Sequence, residues 1–277
     1  MIDPDYIEHI TEWRAKKEAS LRAPDGWLSL VGLFWLQNGH NDIGSHPNNH
    51  IILPTNQAIP AVLGTLELIE TAITLHISAD HTSISIDGIP FTGKNVRLNH
   101  DHEADAPTMV SLGSVKFYVI KRDPGYAVRV SDSSSPVIQN FGGRVWYPID
   151  ESYRVTGTFI SHATPITVTV DNSLGTQTVI YSSGAVEFTL NGDSYRLLAF
   201  DGDEKQLSIY IRDATSGKTT YPAGRFIEAE LHENGTVDLD FNKAYFPPCA
   251  FTDYATCPYP PKDNHLSIPI LAGERFP

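Results

Sequence analysis

The sequence has no apolar run close to the roughly 20 residues that a bilayer-crossing helix requires. Its start, Met1-Ile2-Asp3-Pro4-Asp5, has neither the basic head nor the apolar core of an export signal. Both absences point to the cytoplasm. Cysteine is nearly missing: Cys249 and Cys257 are too few for a disulfide framework, and in a reducing compartment they read as free thiols. Their seven-residue gap fits none of the short zinc knuckles, so no metal is expected. Basic residues are scarce, 20 against 33 acidic, and the net charge of −13 disfavours nucleic acid or an anionic membrane as partner of the surface as a whole. Gly-x-Ser-x-Gly, a P-loop, Gly-x-Gly-x-x-Gly after a strand and His-Glu-x-x-His are also lacking. The common hydrolase, nucleotide and zincin readings therefore have no local support, and no cofactor is named.

What is present is turn-rich and β-rich. The 20 glycines and 19 prolines are spread along the 277 residues as turn punctuation. Asp3-Pro4 supplies an N-cap and a first-turn proline for a helix that places Tyr6, Ile10 and Trp13 on one face and stops at Ala23-Pro24-Asp25-Gly26. The following run, WLSLVGLFWL, fits a buried strand pair or a short helix, with Trp27, Phe34 and Trp35 as core. From 39 to 122 short strands alternate with turns, among them ITLHISA, ending at Ala79, and the alternating run that starts at Thr82. Ser131 to Pro136 is the best linker. Beyond it strand-like runs resume (RVTGTFIS, ITVTVDN, QTVIYSS, AVEFTLNG, YRLLAF, LSIYIRD, RFIEAEL, TVDLDF), and Asn191-Gly192 between alternating runs is a strong hairpin signal.

The most unusual stretch is 238–276, which holds both cysteines, Pro247-Pro248-Cys249 and Cys257-Pro258-Tyr259-Pro260-Pro261. Proline fixes φ and removes a backbone donor, so this is a shaped loop rather than a helix or central strand. Asp240, Asn242, Lys243, Tyr245, Tyr254, Asn264 and Glu274 stand in it, to bind a ligand or to satisfy an otherwise unpaired backbone. Upstream, residues 212–225 offer Arg212, Tyr221 and Arg225 around hydroxyls and a glycine turn, a set able to cradle a carboxylate or phosphate. Arg144, beside Trp146 and Tyr147, is a further pocket candidate. For catalysis the candidates are Cys257 as nucleophile, His265 as base and Asp240 as a carboxylate. His100-Asp101-His102-Glu103-Ala104-Asp105 reads as a solvated connection.

Two resemblances follow from these blocks. Residues 43–54, the Asp87-Gly88-Ile89-Pro90 turn and residues 111–117 resemble the skeleton of a forkhead-associated β-sandwich, a family that reads phosphothreonine peptides. Here Ser45 stands where that family has its arginine and Asp87 where it has an asparagine, so the resemblance implies the fold without its phosphate site. Over nearly its whole length the chain is also similar to a family of unknown function, through residues 23–36 (APDGWLSLVGLFWL), 140–150 (NFGGRVWYPID), 212–227 (RDATSGKTTYPAGRFI) and 238–274.

The expectation is a mainly β protein: a docking helix over 1–24, a forkhead-associated-like β-sandwich over 25–135, and over 136–277 a β barrel or sandwich closed by the proline-rich loop. The expected function is binding of a small molecule or anion in the C-terminal half, by Arg144, Arg212, Tyr221, Arg225, Asp240, Asn242, Tyr245, Tyr254 and Asn264. A hydrolase-like enzyme using a cysteine or carboxylate in the same pocket, and an interaction module without a small ligand, are the alternatives.

Overall fold

The structure is a computed structural model that describes residues 2–277 except Gln57, 79–82, Ala104, 202–205 and the side chain of Asp201. Ala79, Thr82 and Ala104 of the runs noted above lie outside the described residues. The chain divides into two compact units, one of residues 21–141 and one that joins residues 1–20 to 142–277.

Helix α1 (Pro4–Arg22) opens at its first-turn proline, as the Asp3-Pro4 pair predicts, and buries Tyr6 and Ile10. The run after it resolves into a 3₁₀ turn, Trp27–Ser29, followed by a strand, with Leu28 and Leu30 buried. Trp27, Phe34 and Trp35 are half-buried, and Phe34 packs against the edge of the core beside Val31 and Leu36.

The 21–141 unit contains β1 (Leu30–Trp35), β2 (Gly39–Gly44), β3 (Ile51–Ile52), β4 (Gly64–Ile69), β5 (Ala72–Ile77), β6 (Ile84–Ile86), β7 (Ile89–Pro90), β8 (Asn95–Arg97), β9 (Val110–Leu112), β10 (Val115–Arg122) and β11 (Gly125–Asp132). They form a six-stranded sheet, β1-β11-β10-β9-β6-β7, and a five-stranded sheet, β3-β2-β4-β5-β8. One apolar core, including Ile43, Leu66, Leu75, Phe117, Val119 and Val128, draws side chains from both. Ser131 and Asp132 end β11, and the Ser135 hydroxyl caps the short helix α2 (Pro136–Asn140) by accepting the Val137 N–H. The stretch expected as a linker is thus a strand end and a helix cap. Within 100–105, Asp101 pairs with Arg122 at 2.7 Å and Glu103 with Arg97, so these two acids are tied to neighbouring strands.

In the other unit, β13 (Arg154–Asp171), β14 (Gln177–Leu190), β15 (Asp193–Asp201), β16 (Gln206–Ile211), β17 (Arg225–Leu231) and β18 (Thr236–Asp240) close into a barrel; β12 (Val145–Trp146) pairs separately with β19 (Glu274–Arg275). The eight strand-like runs become six strands because two breaks are irregularities within long strands: register shifts at Ser161/Ile166 in β13 and Ser182/Gly184 in β14 bend the ribbon without ending it. Pro165 falls in the first of these, where β13 has left β18 and can spare a donor. The Asn191-Gly192 turn joins β14 to β15 with both residues at positive φ, 54° and 90°. Val186, Leu197, Ile209, Ile227, Leu239 and Phe241 fill the barrel.

Candidate functional site

The C-terminal segment is fastened first by Arg225. It leaves the start of β17 completely buried, ion-pairs with Asp213 at 2.8 Å, and donates to the carbonyls of Ile270 (2.9 Å), Glu274 (3.2 Å) and Ala272. An extended segment turns alternate carbonyls the same way, and one guanidinium with its fork of donors collects all three. Asp213 is used up in turn by the Thr215 N–H and hydroxyl and the Ile270 N–H. The glycine between the last two carbonyls, Gly273, has φ 78°, and a Cβ there would lie 2.4 Å from the Ala244 carbonyl oxygen.

Arg144 and Glu274 make the second clamp. Arg144 Nη1 donates to Glu274 Oε2 at 2.5 Å, the Phe246 N–H donates to the same oxygen at 2.6 Å, and the guanidinium lies over the Phe251 ring. Burial pushes the Glu274 carboxyl up to about 7, against the downward pull of Arg144, the Phe246 N–H and Arg225.

Asp240, Asn242 and Tyr245 receive α1. The Tyr6 hydroxyl donates to Asp240 Oδ2 at 2.9 Å, Asn242 Nδ2 donates to the Tyr6 oxygen and the Asp150 carbonyl, and Asn242 Oδ1 accepts the Asp150 N–H. Burial and the adjacent Asp240 hold the Tyr6 hydroxyl far above its ordinary range. The Tyr245 hydroxyl donates to Glu228, which also pairs with Lys17 of α1 at 2.6 Å, and the Lys17 ammonium lies over the Tyr245 ring.

Asn264 does a strand's work. Among the described residues, direct pairing of β15 with β16 is confined to Phe200 and Asp201. Next to it the buried Asn264 amide accepts the Leu198 N–H at 2.7 Å and donates to the Leu198 and Tyr210 carbonyls, both at 2.9 Å. Arg144, Arg225, Asp240, Asn242, Tyr245 and Asn264, expected to face a ligand, are therefore turned into backbone, ion-pair and helix-docking contacts. The reason is their burial, which turns most of their polar atoms to protein partners, the exceptions being Arg144 Nε and Arg225 Nε. Tyr254 is outside the cavity described next, on the turn after Thr252.

The cavity brings together Arg212, Tyr221 and His265. It has a volume of about 670 Å³ and three walls: Thr169, Val170, Asp171 and Gln177 from the β13–β14 hairpin, Arg212 with Tyr221, Pro222 and Ala223 from the β16–β17 loop, and Tyr259, Pro260, Pro261, Lys262 and His265 from the C-terminal loop. Backbone pairing sets these walls. The Tyr259 N–H reaches the Asp171 carbonyl at 2.8 Å, while the Arg212 N–H reaches the Asn264 carbonyl at 3.1 Å and the Leu266 N–H the Arg212 carbonyl at 2.8 Å. Arg212 and His265 thus become bridge partners, both exposed to the cavity. Asp171 accepts from Gln177 at 3.3 Å, whereas neither Arg212 nor Lys262 has a side-chain hydrogen bond or ion pair among the described residues. Lys262 and Tyr259 were missed from the sequence, although a cation directly after Pro260-Pro261 is held on a stiff extended segment and was a usable signal. A second concavity on the barrel includes Arg196, already paired with Glu187 at 3.7 Å.

The catalytic candidates are divided. Asp240 belongs to the Tyr6–Asn242 network, His265 lies in the cavity with Nε2 3.3 Å from the Pro260 carbonyl, and Cys257 sits buried beside Cys249. No group of three or more His, Cys, Asp or Glu side chains among the described residues is arranged to hold a metal ion, and no helix among them is long and apolar enough to cross a membrane.

No curated protein matches the chain. Among solved structures it is similar to the solution NMR structure of an uncharacterized protein from Haloarcula marismortui, 34% identical over 50% of this chain and 78% of that one, with a TM-score of 0.42. The profile of a family described as "Protein of unknown function (DUF1684)" matches residues 139–275, which span β12, the barrel, both clamps and all three walls of the cavity. Residues 139–275 thus form a domain of the DUF1684 family of proteins of unknown function, whose profile does not extend to residues 1–138.

Proposed function

We propose that the protein binds a small anionic molecule in the Arg212–Lys262–His265 cavity. The observation that carries this reading is a pair of cations, Arg212 and Lys262, that have no side-chain hydrogen bond or ion pair among the described residues and face one concavity of a chain whose net charge is −13. A guanidinium in a fixed fork, an ammonium and an imidazole offer donors to a carboxylate or phosphate, while Tyr221, Tyr259 and three prolines supply rigid apolar walls for the rest of the ligand. The backbone pairing of Arg212 with the 264–266 segment fixes the two chain segments that carry the cations, so that only their side chains need ordering when the ligand arrives.

Calorimetric titration with citrate and with inorganic phosphate tests this. Charge-assisted hydrogen bonds contribute about 1.5–3 kcal/mol each, so the Arg212→Ala/Lys262→Ala double variant is expected to bind at least about 30-fold more weakly. Arg196→Ala, in the second concavity and outside this cavity, is expected to leave affinity unchanged. Equal affinity in the double variant and the parent, or no heat from either anion, would overturn the reading.

The 39–122 region fits a forkhead-associated-like sandwich that has lost its phosphate site. The two sheets around one core and the Asp87-Gly88 turn, with φ 50° and 80°, support this reading. The Ser45 hydroxyl, donating to the Pro60 carbonyl at 3.0 Å, puts no positive charge where a phosphate would need it.

A further inference from the structure

The proline-rich loop brings its two cysteines together although neither anion binding nor the clamps require a thiol. Cys249 sits in the 3₁₀ turn Pro248–Ala250, and its carbonyl accepts the Tyr221 hydroxyl at 2.8 Å. Cys257 is pinned at the other end of the loop: its N–H donates to Ser173 Oγ at 3.0 Å, its carbonyl accepts the Ser173 N–H at 3.0 Å, and the Ser173 hydroxyl donates to the Ala255 carbonyl at 2.7 Å. With both ends fixed, the Cys249 thiol is hydrogen-bonded to Cys257 and lies within reach of the Tyr221 hydroxyl. The two sites differ in access, since Cys249 is half-buried and Cys257 is only 6% exposed.

We propose that Cys249 and Cys257 are a reversible dithiol–disulfide pair that reduces hydroperoxides, with Cys249 as the attacking sulfur and Cys257 as the resolving one. The Cys249 thiolate attacks the terminal oxygen of the hydroperoxide. The O–O bond breaks, the leaving alkoxide or hydroxide takes up a proton, and Cys249 becomes a sulfenic acid. The Cys257 sulfur then attacks the Cys249 sulfur, the S–O bond breaks, and the hydroxide leaves as water with the Cys257 proton. One hydroperoxide and two thiols give one alcohol (water, from hydrogen peroxide), one water and one disulfide, which an external dithiol returns to the starting state. The assignment of roles follows from access together with proton affinity. Cys257, and after it Tyr221, hold the Cys249 thiol below its ordinary range in spite of the opposing effect of burial, so the more accessible of the two sulfurs also carries more of the reactive thiolate than an ordinary thiol.

The test is intact-mass analysis of the full chain after exposure to hydrogen peroxide in the presence of glutathione as reference thiol. Treated protein is expected to be about 2 Da lighter, to lose both alkylatable thiols and to regain them with dithiothreitol. In Cys257→Ser, where no resolving sulfur is present, dimedone is expected to label Cys249; in Cys249→Ser, labelling of Cys257 is expected to be at least about tenfold slower. Two intact thiols after glutathione has been consumed would overturn the proposal, and so would equal labelling of the two single variants. The mass measurement needs only the unaltered chain and decides the matter even where a serine variant fails to fold.

Discussion

Arg225→Met is expected to lower stability towards urea by about 3–5 kcal/mol, while Arg212→Met changes it by less than about 0.5 kcal/mol. The two arginines flank one loop and look alike in sequence. Arg225 is wholly buried, and without its guanidinium the carbonyls of Ile270, Ala272 and Glu274 lose a shared donor while the Asp213 carboxylate is left inside the protein without its counter-charge. The isolated charge dominates the cost, since an unpaired buried ion is far more expensive than an unmade neutral hydrogen bond. Arg212 projects into the open cavity and forms none of these contacts. Similar midpoints for the two variants would show that the clamp holds nothing.

Asn264→Ala is expected to cost about 3–5 kcal/mol, because it strips partners from three buried backbone groups at about 1–3 kcal/mol each: the Leu198 N–H, the Leu198 carbonyl and the Tyr210 carbonyl. Asn264→Asp adds a sign. Its carboxylate still accepts the Leu198 N–H but faces two carbonyl oxygens, so its proton affinity in the folded protein is raised above that in the unfolded chain. A group whose folded pKa is raised loses its contribution as pH climbs, so the aspartate variant should be more stable at pH 5 than at pH 8 relative to the parent. Urea midpoints at the two pH values check this. An unchanged difference between variant and parent would mean that the side chain does not bridge β15 and β16. The same change should reach the cavity, because the Asn264 carbonyl accepts the Arg212 N–H.

Local chemistry made part of this architecture readable. Asp3-Pro4 and Pro24 bound α1, and Asn191-Gly192 sets the β14–β15 turn, because each signal is complete within a few residues. The barrel was harder to read, since the breaks in β13 and β14 are bulges whose residues look like turns until a partner strand holds them extended. Burial of a polar side chain was hardest. Arg225 finds its carbonyls 45 to 49 residues away, and nothing near it in sequence separates it from the exposed Arg212. In the stretch around Asn242 and Asn264 the polar side chains that stand out in the sequence mostly bind their own chain. Arg212 and Lys262, the two cations of the proposed site, are marked by side-chain contacts they do not make among the described residues.

Side-chain NMR of ¹⁵N-labelled protein titrated with inorganic phosphate tests directly the division between structural cations and those proposed to meet a ligand. Saturable shifts are expected at the Arg212 Nε–H, the His265 ring and the backbone amides of residues 262–265, with the Nε–H signals of Arg225 and Arg144 unmoved. Shifts at Arg225 or Arg144, with Arg212 and His265 silent, would contradict it.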